Sequence, residues 1–337
     1  MRRVMLHVNY NGKKMDKSFM DHVLDFSYTD SGSGELDDLS LRLSDKDRKF
    51  QASWMPAEGD VISAAIEVFD WQREGQSKKY NCGSFHVDEL TFSGVPDEVS
   101  VRAASFPVSS TARQERRTKV WEKVKLSTIA GEIARRAKLK LANEVDIDPS
   151  YDRIEQMDKS DFSFLLELTK QEGIACKVVS GQLVLFDESK FERGKSVATF
   201  ERGKSNILDY SFSWSAANCA YRACEVTYEE VDKKKTSKAT YTPPGAPSTG
   251  PVLRVQESAK SQADALRIGK NRLREKNKQA NLATMTIVGD VRIAAGVIIT
   301  IKGFGRFDGK YIVDKANHTV GGGGYNTRMD LRKILGW

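Results

Sequence analysis

Leu39, Leu41 and Leu43 alternate with Ser40 and Arg42, the period-two pattern of a strand with one buried face. Pro56 and Gly59 punctuate the chain before an apolar run from Val61 to Phe69, and the polar stretch 72–81 reads as a loop. Phe85, Val87 and Glu89 then alternate with His86 and Asp88, the chain turns near Gly94-Val95-Pro96, and Val99, Val101 and Ala103 resume the alternation. Short strands separated by turn signals predict a β-barrel or sandwich over residues 1–107.

The period changes over residues 108–190. Leu126, Ile129, Ile133 and Ala137 fall three and four apart, which predicts a helix from about Leu126 to Leu141. A second helix is expected after Asp158 or Ser160, with Phe162, Leu165, Leu166 and Thr169 on one face and Gly173 at its left-handed end. Two apolar runs then flank Ser180-Gly181, the pattern of a tight hairpin. This segment reads as a small α+β insert.

Residues 191–337 return to strands. The phrase FERGKS occurs at 191–196 and again at 200–205. Residues 232–251, Lys-rich and then Pro/Gly-rich, read as an extended polar loop. A helix is expected over about 257–280, with a thin apolar stripe of Ala259, Ala263, Leu266 and Leu273 that marks it as a surface helix.

The first and last strand regions resemble each other. Gly83, Phe85, Val87 and Asp88 in GSFHVDELTFSG match Gly309, Tyr311, Val313 and Asp314 in GKYIVDKANHTV. Upstream, Gly59-Asp60-Val61-Ile62 sits like Gly296-Val297-Ile298-Ile299, each a glycine turn opening an apolar strand. The fold expected is mainly β, a duplicated strand domain divided by an α+β insert.

The chemistry-bearing residues offer little. The chain has 337 residues and a formal charge of +7, with both signs mixed throughout, so specific nucleic-acid binding is not expected. The basic helix residues Lys260, Arg267, Lys270, Arg272, Arg274, Lys276 and Lys278 point around its axis and read as a solvated face or a contact for an acidic protein. Cys82, Cys176, Cys219 and Cys224 form no CxxC pair, and four histidines do not complete a zinc pattern; they read as free thiols. No metal or cofactor is expected. Both GKS phrases lack the upstream glycine of a phosphate loop and read as polar hairpin turns. The acids around Asp45 and Asp47 fail as a calcium loop because Lys49 and Phe50 stand where acid and glycine are needed. No nucleophile motif appears, so no catalytic residue is assigned. The basic N-terminus has no apolar core of a signal peptide, and no run is long enough to span a membrane.

His318, just before Gly321 to Gly324, is the residue most suggestive of catalysis. Strand alternation places it in a strand that turns back at the glycines, and Phe92 occupies its place in the earlier phrase. A hydrogen-bonded structural role is expected.

Four stretches in order, GELDDLSLRLSDKDRKF, GSFHVDEL, YDRIEQMDKSDFSFLLELTKQEG with GQLVLFD, and GVIITIKGFGRFDGKYIVDKANHTVGGGGYNTRMDLRK, resemble the late control D proteins, the baseplate hubs of contractile tails in phages, prophages and tailocins. The resemblance implies two tube-type β-barrels, residues 1–107 and 191–337, joined by the insert 108–190. It implies a homotrimer presenting six similar barrels, with the tail tube protein above, the central spike protein below and baseplate wedge proteins around it. It implies synthesis in the bacterial cytoplasm, a place in the baseplate of a virion or tail-like particle, and no chemistry in the barrels. No lysozyme or peptidase segment is recognised, so wall cutting is expected on another chain. One rival reading remains: VWEKVKLSTIAGEIARRAKLKL in the insert looks somewhat like the start of a peptidoglycan-binding LysM domain.

Overall fold

The computed structural model describes residues 2–106, 115–217, 220–230 and 235–337. The first part of the chain forms β1 (Arg3–Tyr10), β2 (Lys13–Lys14), the short helix α1 (Lys17–Met20), β3 (Val23–Ser31), β4 (Asp38–Ser44), β5 (Val61–Phe69), β6 (Ser77–Ser93) and β7 (Glu98–Ala104). The middle holds β8 (Arg116–Lys125), α2 (Leu126–Arg136), β9 (Lys140–Glu144), β10 (Ser150–Ser160), α3 (Asp161–Glu172), β11 (Ile174–Val179) and β12 (Gln182–Asp187). The remainder comprises α4 (Glu188–Phe191), β13 (Ser196–Glu201), β14 (Ile207–Trp214), β15 (Ala223–Glu230), β16 (Lys235–Tyr241), β17 (Val252–Gln256), α5 (Gln262–Asn277), β18 (Asn281–Val288), β19 (Ile298–Lys302), β20 (Gly309–Gly321) and β21 (Gly324–Lys333).

The protein is mainly β. A 13-stranded sheet runs in the order β14-β18-β21-β20-β3-β4-β7-β6-β5-β1-β2, with β19 and β13 branching from β20. Alternation decides what each strand buries. Leu39, Leu41 and Leu43 point inward with Phe26, Phe85, Val87, Val99 and Val101 to make one core. Met285, Ile299, Ile301, Tyr311, Val313, Met329 and Leu331 make another in the later strands.

The insert has a core of its own. Leu126, Ile129 and Ile133 of α2 and Leu165 and Leu168 of α3 pack over Leu183 and Leu185, on a sheet ordered β11-β12-β9. The Ser160 hydroxyl accepts from the Ser163 N–H at 3.3 Å and caps α3. Gly173 ends α3 at φ +69°, and a Cβ there would lie 2.8 Å from Asn271 Oδ1. Asn271 donates to the Glu172 carbonyl at 2.7 Å, so α5 closes the end of α3.

Several expectations change. The polar stretch 72–81 is partly strand, because β6 starts at Ser77. α2 stops at Arg136, and Leu141 lies on β9 beside Leu183; its apolar spacing came from two elements in succession. Within 232–251, residues 235–241 form β16, paired with β15; residues 231–234 lie outside the described residues. The helix starts at Gln262, and its buried side is Ala265, Gly269 and Leu273 while Ala263 is exposed. Far from lying on an open surface, that side covers β15 and β16 around Cys224, Val226 and Tyr228. A Cβ on Gly269 would come within 3.1 Å of Val226, which explains a glycine inside a helix. The second FERGKS holds the turn between β13 and β14, but these strands pair with β19 and β18 and form no hairpin. Cys82, Cys176 and Cys224 are free and buried; Cys219 lies outside the described residues.

Candidate assembly site: the seam between repeated strand units

The matched phrases make matching backbone contacts. Gly59 N–H donates to Val87 O at 2.9 Å and Val87 N–H to Asp60 O at 2.8 Å. In the later copy Gly296 N–H donates to Val313 O at 2.8 Å and Val313 N–H to Val297 O at 2.9 Å. Ile62 pairs with Phe85, and Ile299 with Tyr311. Gly59 and Gly296 both turn at left-handed φ, +84° and +85°, and Gly83 and Gly309 also have positive φ. A bulge follows in each copy, at Asp88 against β7 and at Asp314 against β21.

The correspondence extends outward. Val87, Leu90 and Phe92 face Ala103, Val101 and Val99; Val313, Ala316 and His318 face Leu331, Met329 and Thr327. Tyr28 faces Leu39 and Phe212 faces Ala283, with a bulge at residue 24 in β3 and residue 208 in β14. Two six-strand units therefore run in the same order, β3-β4-β7-β6-β5-β1 and β14-β18-β21-β20-β19-β13. They differ at the last pair: β1 is antiparallel to β5, and β13 is parallel to β19.

The units join where the far half of β20 pairs with β3, from Lys315 opposite Ser31 to Gly321 opposite Asp25. His318 sits in this seam, opposite Tyr28 and fully buried. The bulge at Asp314 shifts the alternation, so Ala316 and His318 turn inward like Tyr311 and Val313. The Tyr325 hydroxyl donates to His318 Nδ1 at 2.8 Å, and His318 Nε2–H donates to the Ile293 carbonyl at 3.0 Å. That pair of bonds fixes a neutral imidazole. Burial pushes its pKa down to about 4, against weaker opposing effects of the Ile293 carbonyl, Asp30 and Asp290. The ring lies 5.0 Å from Tyr80 and stacks with Tyr28 at 6.2 Å between centroids. A neutral imidazole closed off from solvent and bonded on both nitrogens has no free position for a substrate proton.

The glycines let the hairpin enter the seam. A Cβ on Gly321 would stand 1.9 Å from Asp25 Oδ1. Beyond the turn, Tyr325 reaches into the core of the first unit. Its ring would overlap a Cβ on Gly289 at 2.2 Å, and Trp71 Nε1–H donates to the Gly289 carbonyl at 2.5 Å.

Polar anchors tie the seam to the insert. The Asp30 carboxylate accepts from the Tyr80 hydroxyl at 3.0 Å and from Ala295 N–H at 2.8 Å. Lys177 of β11 also bonds Asp30, and reaches Asp37 at 3.2 Å. Asp30 thus meets both units and the insert at one point. Desolvation raises the pKa of buried Asp37 to about 6, against the pull of Lys177. On the other side, Arg332 donates to Glu192 at 2.7 Å, Glu188 at 2.8 Å and Asp314 at 3.0 Å. The basic helix residues mostly meet acids of the same chain: Lys260 with Asp152, Arg267 with Glu172, Arg272 with Glu257, Arg274 with Glu192 and Lys278 with Glu188.

The glycines, Phe85, Val87, Tyr311 and Val313 of the matched phrases thus shape the paired units, and Asp88 and Asp314 mark their bulges. Among them His318 lies in the seam, and the Asp314 carbonyl accepts from Gly32 N–H at 2.8 Å beside it. Tyr28, Asp30, Tyr80, Lys177 and Tyr325 were not singled out by sequence. A tyrosine directly after the four glycines was the one available signal. No group of acids, histidines and cysteines among the described residues could hold a metal ion.

The fold is that of phage-type tail proteins. A tail protein from Neisseria meningitidis MC58 superposes with a TM-score of 0.72 at 13% identity, covering 99% of this chain and 98% of its own. An Escherichia coli component of the type VI secretion system, described as similar to bacteriophage T4 tail proteins, gives 0.56 at 11% identity, over 98% and 77%. The chain belongs to the phage tail baseplate hub (GPD) family, whose model matches residues 63–324. A probable baseplate hub protein of Escherichia phage 186 is 30% identical over 176 residues, 52% of this chain. The match spans 42% of that relative's own length.

Proposed function

We propose that this chain is the structural baseplate hub of a contractile phage tail or phage-tail-like particle, a trimeric adaptor between a hexameric tail tube and a trimeric central spike. One observation carries the reading: two strand units of the same order, with the same register over their first five strands, joined by a seam within a single chain. Three such chains present six equivalent units to a sixfold tube while keeping true threefold symmetry for a spike. In this reading residues 1–107 and 191–337 are the two tube-type barrels, residues 108–190 are the insert, and wedge proteins surround the ring. The closed state of His318 supports a role in assembly, with no reaction at the barrels.

The test is the mass of the purified full chain, alone and with its tail tube and spike proteins, with electron microscopy of the product. Trimers forming rings with six similar lobes, bound on opposite faces by the two partners, are expected. A chain that stays monomeric in every mixture and forms no ring would overturn the proposal. Strong binding of the full chain to purified peptidoglycan, without ring formation, would favour the wall-binding alternative.

A further inference from the structure

The seam uses one edge of each unit. On β20, residues 309–312 pair with β19 while residues 315–321 pair with β3 along the same edge. The equivalent strand β6 pairs with β5 only as far as His86. Beyond it, residues 89–93 pair with β7 on one edge and, among the described residues, have no strand on the other. Likewise β3 lies between β4 and β20, while its equivalent β14, among the described residues, pairs with β18 alone and ends the sheet. The second unit has filled its place beside the first, and the matching two edges are open.

On these edges large apolar side chains stand in solvent between polar ones. Phe92 is 39% exposed; on β14, Leu208 is 56%, Tyr210 39% and Trp214 51%. At the equivalent seam positions, His318 and Phe26 are 0% exposed, Tyr28 3% and Asp30 5%. At Phe92, Tyr210 and Trp214 the backbone position is thus exposed where its counterpart at the seam, His318, Phe26 and Asp30, is buried. Long open edges with apolar side chains favour pairing with another strand.

We propose that the end of β6 in one copy of this chain pairs antiparallel with β14 of a second copy, in the register of the internal seam. Transferring that register places Thr91 opposite Ser213, Phe92 opposite Phe212, and Leu90 opposite Trp214. The junction is head-to-tail, so identical copies close into a ring when the rotation allows. The proposal rests on the hub reading for the ring, and adds the strands and register that hold it.

Paired cysteines test the register. Within the chain, Asn317 donates to Thr29 Oγ1 at 3.0 Å, and Thr91 and Ser213 occupy these two places. Mild oxidation of the full-length Thr91→Cys/Ser213→Cys variant is expected to give covalent multimers on a non-reducing gel. The Thr91→Cys/Asp209→Cys pair, four residues out of register and displaced by about 13 Å, is expected to stay at background, beyond disulfide reach. Phe92→Lys, at an exposed position, should leave melting of the isolated chain unchanged and weaken self-association about thirtyfold or more, as loss of a central aromatic anchor does. A wild-type chain that forms trimers while its Thr91→Cys/Ser213→Cys variant does not cross-link and its Phe92→Lys variant associates as before would overturn the junction and leave the hub reading standing. A wild-type chain that never self-associates would overturn both.

Discussion

Acid should weaken the internal seam through one residue. An unfolded histidine titrates near 6.5, whereas burial holds His318 at about 4. Between these values the native chain binds fewer protons at this site than the unfolded chain, so the site's stabilisation is complete above about pH 6.5 and is lost as the pH falls toward 4. At 1.36 kcal/mol per pKa unit the loss is about 3 kcal/mol. The experiment compares wild type with His318→Gln, which cannot gain the proton, by urea unfolding followed through tryptophan fluorescence; Trp71 lies 5.6 Å from Tyr325 and reports on the seam. At about pH 7 the variant should be less stable by roughly 1–3 kcal/mol, from the lost bonds to Tyr325 and Ile293. Near pH 4 the gap should shrink by about 3 kcal/mol and close or reverse. Taking the difference cancels other titrations, including that of Asp37, which has the opposite sign. A gap that stays constant across this range would refute a neutral, buried imidazole.

Lys177→Met leaves Asp30 and Asp37 buried without their cation, and should cost about 3–5 kcal/mol at neutral pH in a denaturant melt. Desolvation raises the Asp37 pKa and Lys177 pulls it back down toward about 6, so without the lysine Asp37 takes up its proton at higher pH than in wild type, and the penalty should shrink as the pH falls toward that value and stay level below it. Gly289→Ala places a Cβ 2.2 Å from the Tyr325 ring; a loss of about 2–3 kcal/mol and displaced Tyr325 density in a crystal are expected. Gly323→Ala, whose nearest neighbour would be 4.0 Å away, should lie within about 0.5 kcal/mol of wild type and serves as the control.

Strand alternation made β4, β5 and β7 legible, because each buries one face and its side chains declare it. The ends of α3 were legible through Ser160 and Gly173, whose chemistry is local. α2 was drawn too long because the helical spacing of Leu126 to Ala137 runs directly into the apolar residues of β9, and one-dimensional periodicity has no marker for the change. β16 was hidden by its lysines: Lys238 points at Glu225 on the neighbouring strand, a partner that only tertiary structure supplies. The parallel β13–β19 pair is likewise a long-range choice. At the seam, the repeat was visible in glycines and apolar residues because these obey backbone geometry. Asp30 was not, because it bonds Tyr80, Lys177 and Ala295 N–H from three distant stretches. The bulge at Asp314 left no cue separate from the phrase around it, yet it turns His318 inward.

The duplicated units share a backbone plan but differ in seam chemistry, and that difference has a consequence for assembly. A repeat whose two junctions were identical could pair its second unit with the first unit of the same chain or of any other copy, and would form open chains. Here the internal seam is polar and fully bonded around His318 and Asp30, while the inferred junction is apolar around Phe92, Phe212 and Trp214. If β20 paired with β14 of another copy, Trp214 would stand where Asp30 stands. Ala295 N–H of the second unit would lose its acceptor, because Asp30 stays on β3 with Tyr80 and Lys177. A buried donor without a partner costs about 1–3 kcal/mol, so the wrong pairing is disfavoured by about that much. The polar seam therefore selects the chain's own partner strand, and the apolar edges remain for a neighbouring copy. On this account Asp30→Leu should do more than destabilise: it should make the two junctions alike and shift the full chain, at equal concentration, from closed rings toward heterogeneous multimers in size-exclusion chromatography with light scattering. A variant that is merely less stable, with the wild-type distribution of sizes, would show that Asp30 holds the seam without selecting its partner.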